Sequence, residues 1–384
     1  MTHSALPEHL SERLRTRPTE EHAARPDTDR RLVSTTRIWR DPMPRVAVIG
    51  AGISGLVCAR AVADHGLAVT VFDKGRATGG RAATRRGEPD LSFDHGAQYF
   101  TARDPSFASY VSAWRLQLFV AEWGGRVVKL QGGSVVDTTP RPRYVGVPGM
   151  SALGTHLAAD LAVCRETRIS RVSRTDGGWN LADESGAGSG PFEFLVTAIP
   201  APQAAELLAP HPFAAVAAGV PMTPCWAVLV AFDGRYEVPW DGAFVHDSPL
   251  SWVARNSSKP GRPPCPDCWV LHAGPEWSAA HLEDHPEAVG SQLLDALVTA
   301  TGIRPPAVAY IAAHRWLFSQ GADPADRRAL FDPGAGLVMC GDWLAGGRVE
   351  GAFLSGVAAA GHVLRQTGIP VSAAFSVRPC GHNP

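Results

Sequence analysis

The sequence predicts an α/β protein of two domains, one of them Rossmann-like and the other built on a second, mixed sheet with α+β character. Three observations carry this. The chain has 384 residues, more than the roughly 250–300 at which a single core usually stops growing. A glycine-rich turn, Gly50-Ala51-Gly52-Ile53-Ser54-Gly55, lies between a short apolar run and an alanine-rich stretch, which is the strand-turn-helix setting of a nucleotide fold. The apolar period then changes several times along the remaining chain, as expected where strands and helices are mixed.

In chain order, residues 46–49 read as a buried strand, 54–65 as a helix and 68–72 as a second strand, together a βαβ unit. Residues 105–123 carry Phe107, Tyr110, Val111, Trp114, Leu118 and Phe119 at helical spacing, and 127–136 alternates like a hairpin. Helix is expected at 150–161, with strands at 164–174, 179–183 and 192–198. Strand patterns follow at 225–232 and 269–272, helix at 286–301, strand at 337–340 and a last helix at 351–364. Residues 1–42 mix eight arginines with seven acidic residues without an apolar period, so they read as a flexible, dispensable tail, and 369–384 as a second. No internal repeat is present.

Composition removes several function classes. Thirty-six basic and thirty-seven acidic side chains nearly cancel, so no overall field attracts nucleic acid or an anionic membrane. No apolar run is long enough to cross a bilayer and no signal-like segment opens the chain. A cytoplasmic protein, monomer or homodimer, is expected. Seven cysteines do not make a disulfide scaffold, and the pair Cys265 and Cys268 reads as an inert pair in a proline-rich turn. Only Lys74, Lys129 and Lys259 are lysines. No metal site is expected.

Within the turn, Gly50 permits the tight bend, Gly52 lets a pyrophosphate approach the backbone, and Gly55 lets helix and strand pack closely. The phosphates would sit on the N-terminus of the helix that Ile53 and Ser54 open. Asp73 ends the second strand, where a carboxylate can accept the adenosine ribose hydroxyls. No second fingerprint exists, because 186–190 lacks a preceding buried strand and reads as a loop. That excludes disulfide reductases with two dinucleotide domains.

The same glycine unit followed by Gly75-Arg76-Ala77-Thr78-Gly79-Gly80-Arg81 resembles the flavin-binding half of the amine oxidase superfamily, a glutathione reductase-type FAD fold. So does Cys340-Gly341-Asp342-Trp343, followed by residues 346–352. FAD is the implied cofactor. Motif and resemblance together name its contacts as Gly50, Gly52, Ile53, Ser54, Gly55, Asp73, Lys74, Gly80, Arg81, Gly96, Ala97, Gln98, Val172, Gly341, Asp342, Glu350, Gly351 and Ala352. The implied FAD domain is discontinuous, at 44–103, 148–202 and 330–368, with the substrate domain at 104–147 and 203–329.

Asp94-His95-Gly96-Ala97-Gln98-Tyr99-Phe100, and in order the stretches 238–242, 251–262, 269–277 and 314–316, are similar to renalase and its bacterial relatives. The match spans residues 44–365. It implies an oxidase that takes hydride from 2- or 6-dihydro-NAD(P), returns NAD(P)+ and passes electrons to dioxygen, forming hydrogen peroxide. By position in that pattern Tyr99 and Trp316 would flank the pocket over the flavin and His272 would line it. The lysine typical of monoamine oxidases has no counterpart in 313–318. Leu317 stands where many relatives carry a basic residue, and with the long N-terminal segment it keeps open an amine oxidase or desaturase of a small secondary metabolite. A noncovalent FAD is expected.

Overall fold

The computed structural model describes residues 43–88, 90–321 and 327–369. The stretches read as tails, 1–42 and 370–384, lie outside the described residues. Strand Arg45–Ile49 is the hub of a six-stranded sheet, in the order Ala329–Asp332, Leu337–Cys340, Phe194–Thr197, Arg45–Ile49, Ala68–Phe72 and Ala162–Cys164. Its pairings are parallel except at the Ala329–Asp332 edge. Val48 stands opposite both Val196 and Val71, all fully buried, the continuous apolar run that a sheet covered on both faces requires.

Helix Ile53–Asp64 packs on this sheet and against helix Val349–Gln366. Small residues set that helix pair close together: a Cβ on Gly356 would lie 2.4 Å from the Ser54 carbonyl oxygen, and Ser54 Oγ donates to the Ala352 carbonyl at 2.7 Å. Leu56 and Val62 are fully buried there, each stabilising by about 1.5–3 kcal/mol.

A second sheet of seven strands runs Val308–Gly321, Met222–Phe232, Asp267–Ala273, Leu250–Arg255, Gly242–Val245, Val127–Gln131 and Ser134–Asp137. It is mixed, since Gly242–Val245 pairs parallel with Val127–Gln131 and the other pairs are antiparallel. Helix Pro286–Thr301 covers one face, burying Val289, Leu293 and Leu297. The α/β class with a mixed second sheet therefore holds. No helix among the described residues is long and apolar enough to cross a membrane.

Several element boundaries differ from the periodicity. The helix at 105 ends at Leu116, because Leu118 takes φ +63° and Val120–Glu122 is a strand. The segment 164–174 is two strands, Ala162–Cys164 and Ile169–Thr175, broken where Glu166 takes φ +53°. Gly188–Phe192 is a strand rather than a loop, pairing with Gly178–Asp183. The expected helix at 150–161 shrinks to Ala152–Leu157. Cys265 is exposed, but Cys268 belongs to strand Asp267–Ala273 and is buried, so only half of that pair lies in the turn.

Candidate active site

The nucleotide cradle follows from its glycines. Gly50 takes φ +107°, and a Cβ there would lie 2.6 Å from the Ala198 carbonyl oxygen, so no other residue fits the bend. A Cβ on Gly55 would come within 2.0 Å of the Gly50 carbonyl oxygen. Gly52 differs: a Cβ there would meet nothing within 4 Å. That open space lies at the N-cap of helix Ile53–Asp64, where free N–H groups and the helix dipole favour a phosphate.

Asp73 fastens the two glycine turns together. The Ala51 amide donates to its Oδ2 and the Gly75 amide to its Oδ1, each at 2.6 Å, and the Gly79 amide donates to the Ala51 carbonyl at 2.8 Å. Gly80, with φ +55°, passes so close that its Cβ would lie 3.2 Å from Gly52 Cα. Lys74 is exposed beside these turns, its pKa lowered by burial and by Arg168 against the pull of Asp73 and Glu184. Val172 packs on the neighbouring core with Trp179 and Phe72.

At the other end of the cradle Arg81 Nη2 donates to Asp342 Oδ1 at 2.6 Å and Nη1 to the Ser319 carbonyl at 2.9 Å. Asp342 is thus a buried carboxylate held by a guanidinium. Gly351 lies against the Ala345 carbonyl oxygen, 2.0 Å from where a Cβ would sit, at the start of helix Val349–Gln366. Glu350 Oε1 accepts the amides of Arg103 and Asp104 at 2.5 and 2.7 Å, so it anchors the entry to helix Pro105–Leu116. Arg348 is exposed at the N-cap. An elongated dinucleotide fits this donor set: Gly52 and the helix would hold its pyrophosphate, and Arg81, Asp342 and the second helix N-terminus its ring end.

A wall beside Arg81 comes from the loop after strand Leu91–Asp94 and from the seven-stranded sheet. A Cβ on Gly96 would lie 1.9 Å from the Arg81 carbonyl oxygen and 3.4 Å from Trp316 Cζ2, and the Ala97 amide donates to the same carbonyl at 2.9 Å. Trp316 Nε1 donates to the His95 carbonyl at 2.9 Å. The Trp316 ring stacks on His95 at 5.1 Å and meets His314 edge-on at 4.4 Å. Strand alternation turns Leu317 to the opposite face, where it is 46% exposed. Its departure from the basic residue of relatives therefore leaves the Trp316 face unchanged. Tyr99 stands further along, 5.4 Å from Trp252 and 6.2 Å from Trp123 between ring centroids. Tyr99 and Trp316 are thus both on the wall but in separate aromatic groups.

His272 Nε2 lies 3.2 Å from the His95 carbonyl oxygen, so Nε2 carries the proton and donates. Its 3.5 Å approach to Gln98 Nε2 then brings two donors together and is not a hydrogen bond. Burial, before any other cause, brings the pKa of His272 to about 4 and that of His95 also to about 4, the latter helped by His314. His314 is lowered too, by burial and Arg85. These rings are neutral at pH 7.

Behind the wall is a charge network that the periodicity and motifs missed. Asp94, fully buried, accepts Thr84 Oγ1 at 2.7 Å and the Met150 amide at 2.9 Å on Oδ1, and Arg262 Nη2 at 2.6 Å and Lys259 Nζ at 3.2 Å on Oδ2. Lys259 also donates to Gln98 Oε1 at 3.2 Å and Asn256 Oδ1 at 3.0 Å. Burial alone would raise Asp94, but Lys259 and Arg262 bring it below the usual carboxylate range. Burial depresses Lys259 to about 8, with Asp94 opposing and Arg262 adding to the effect. Lys259 thus follows the turn Asn256–Ser258, beside Pro260 and Gly261, with its side chain fully buried. The usable signal was Asp94 itself, an acid that directly follows the strand-like Leu91-Ser92-Phe93 and, once buried, needs a basic partner.

Two family models match the chain. Residues 48–114 match the NAD(P)-binding Rossmann-like domain and residues 113–364 the flavin-containing amine oxidoreductases. Tryptophan 2-monooxygenase of Allorhizobium ampelinum is 48% identical over 60 residues, 15% of this chain and 8% of that protein's length. Cyclohexylamine oxidase from Brevibacterium oxydans IH-35A superposes with a TM-score of 0.65 at 15% identity, over 85% of this chain and 100% of that one. Wild-type putrescine oxidase bound to putrescine gives 0.61 at 15% identity, over 84% and 99%. At such identities the likeness is one of fold. The cradle, its open face at Gly52 and the second helix N-terminus carry the same assignment as the longer family match: the chain belongs to the flavin-containing amine oxidoreductase family, and its cofactor is FAD.

Proposed function

We propose that this chain is an oxidase of renalase type: with bound FAD as two-electron acceptor it converts 2- or 6-dihydro-NAD(P) and dioxygen, with one proton, to NAD(P)+ and hydrogen peroxide. The observation that supports it is the neutral, aromatic wall. His95, His272 and His314 are all shifted down, and the Trp316 ring stacks on His95 and meets His314 edge-on. A dihydropyridine is already a hydride donor, so it needs stacking and exclusion of water, not a strong base. Trp316 is fixed through its hydrogen bond to the His95 carbonyl, Gln98 by Lys259, and neither is free to act as an acid or base.

A second reading, an amine oxidase or desaturase of a small metabolite, is favoured by the 60-residue match to tryptophan 2-monooxygenase. Anaerobic titration of the purified yellow protein separates the two. Bleaching by 2- or 6-dihydro-NAD(P), then peroxide equal to the NAD(P)+ formed once air is admitted, is the expected result. A flavin that stays yellow with these donors but is reduced by an amine moves the function to the second reading.

A further inference from the structure

A cleft of about 620 Å3 opens beside Tyr99, walled by residues 122–127 and by 137–138 and 140–143. Its cations are unequally engaged. Arg126 is consumed: Nε and Nη2 donate to Asp137 Oδ1 at 3.1 and 2.9 Å, and Nη1 donates to the Pro239 carbonyl at 2.9 Å. Arg143 lies over the Tyr99 ring, its guanidinium carbon 5.5 Å from the centroid, and among the described residues its side chain makes one hydrogen bond, Nη2 to Thr138 Oγ1 at 3.3 Å. Arg141 is exposed and makes no hydrogen bond or ion pair among the described residues. Against them stands Glu122, Asp137 being occupied by Arg126. Two guanidiniums with most of their N–H groups free therefore face the cleft.

Its base is also positive. Trp123 lines the cleft and is buried, and Lys259 Nζ lies 5.7 Å from its ring centroid. The network behind has two fully buried cations, Lys259 and Arg262, for one fully buried carboxylate, Asp94. Charge so poorly solvated attracts an opposite charge over a longer range than a surface cation does.

We propose that this cleft is a subsite for an anionic group of the substrate, a phosphate or a carboxylate, gripped by Arg143 and Arg141. Arg143 joins it to the active site, since the guanidinium that would hold the anion also covers Tyr99. Guanidinium forks suit both oxyanions. The inference rests on the oxidase reading for where the rest of the substrate sits, but anion binding itself can be measured without turnover.

The test uses the FAD-loaded protein with inorganic pyrophosphate and, separately, acetate, followed by calorimetry. R141Q and R143Q should each weaken pyrophosphate binding roughly tenfold, and the double variant more. R304Q, at an exposed arginine elsewhere, should leave it unchanged. In anaerobic bleaching, the double variant should raise the apparent Kd of 6-dihydro-NAD at an unchanged limiting rate, and leave 1-benzyl-1,6-dihydronicotinamide unaffected. If tryptophan bleaches the flavin and tryptamine loses nothing in the variants, the anion is a carboxylate. Absence of binding by either anion, equal binding to wild type and double variant, or equal losses for charged and uncharged donors overturns the subsite. Arginine-dependent pyrophosphate binding with no bleaching by any donor sustains it and overturns the oxidase reading.

Discussion

Lys259 Nζ donates to Gln98 Oε1 at 3.2 Å, and this one bond decides which way the Gln98 amide faces. With the oxygen turned to Lys259, the nitrogen donates to the carbonyls of Asp94 and Gly96. The Gly96 backbone, pressed onto the Arg81 carbonyl, is thereby fixed where Trp316 meets it. A fully buried charge network thus sets the backbone of the wall around Trp316.

Removing the acid of that network should cost more than removing its lysine. Asp94→Asn leaves Lys259 and Arg262 buried without a counter-charge, which typically costs about 3–5 kcal/mol. Lys259→Met leaves Asp94 paired with Arg262 at 2.6 Å and strands only the Gln98 oxygen, since Asn256 Oδ1 still accepts the Asp94 amide at 3.2 Å, a cost of about 1–3 kcal/mol. Denaturant midpoints of the FAD-saturated proteins check the order, and a Lys259→Met loss larger than that of Asp94→Asn would contradict the network.

Gly50 and Gly52 should fail differently when each becomes alanine. At Gly50 the methyl collides with the Ala198 carbonyl at a φ of +107°, so Gly50→Ala should destabilise the apoprotein by about 1–3 kcal/mol. At Gly52 the methyl enters empty space. Gly52→Ala should therefore melt like wild type without FAD and bind FAD at least about tenfold more weakly, as the methyl displaces the pyrophosphate. Equal loss of apoprotein stability in both would remove Gly52 from the cofactor's path.

The cradle was legible in the sequence because its constraints are local. Gly50, Gly52 and Gly55 act within six residues, and Asp73 closes the same βαβ unit. The active-site wall was legible only through resemblance, since the groups converging on the His95 carbonyl come from His272 and Trp316 on two distant strands. The 14-residue strand Val308–Gly321 went unread because its burial is half-and-half along much of its length, with no clean alternation. The ion pair of Lys259 went unread because Pro260 and Gly261 describe the local turn and carry no information about Asp94, 165 residues away.

The depressed histidines fix how stability responds to acid. His95 and His272 titrate near 4 in the folded protein and near 6.5 when unfolded. Between these values the unfolded chain binds protons that the folded one refuses, so stability should rise with pH across that window and fall as the solution is acidified through it. Each ring contributes a slope of up to about 1.4 kcal/mol per pH unit. His272→Asn should flatten the dependence of the denaturant midpoint between pH 4.5 and 6.5. An unchanged slope would place the His272 titration near its ordinary value.

Trp316 offers the clearest separation of stacking from hydrogen bonding. Trp316→Phe keeps an aromatic face against His95 but loses the donor to its carbonyl, for which His272 Nε2 at 3.2 Å remains. The carbonyl is not orphaned, so the limiting rate of anaerobic flavin bleaching should stay within about threefold. Trp316→Ala removes the face altogether and leaves space beside Gly96, His95 and His314. A donor no longer held at reacting distance should then bleach the flavin about 10- to 100-fold more slowly at saturation, while FAD should stay bound, since its proposed contacts at Arg81, Asp342 and the Gly52 turn are untouched. If Trp316→Ala bleached at the wild-type rate, the ring would be packing alone, and orientation of the donor would fall to the Tyr99, Trp252 and Trp123 group.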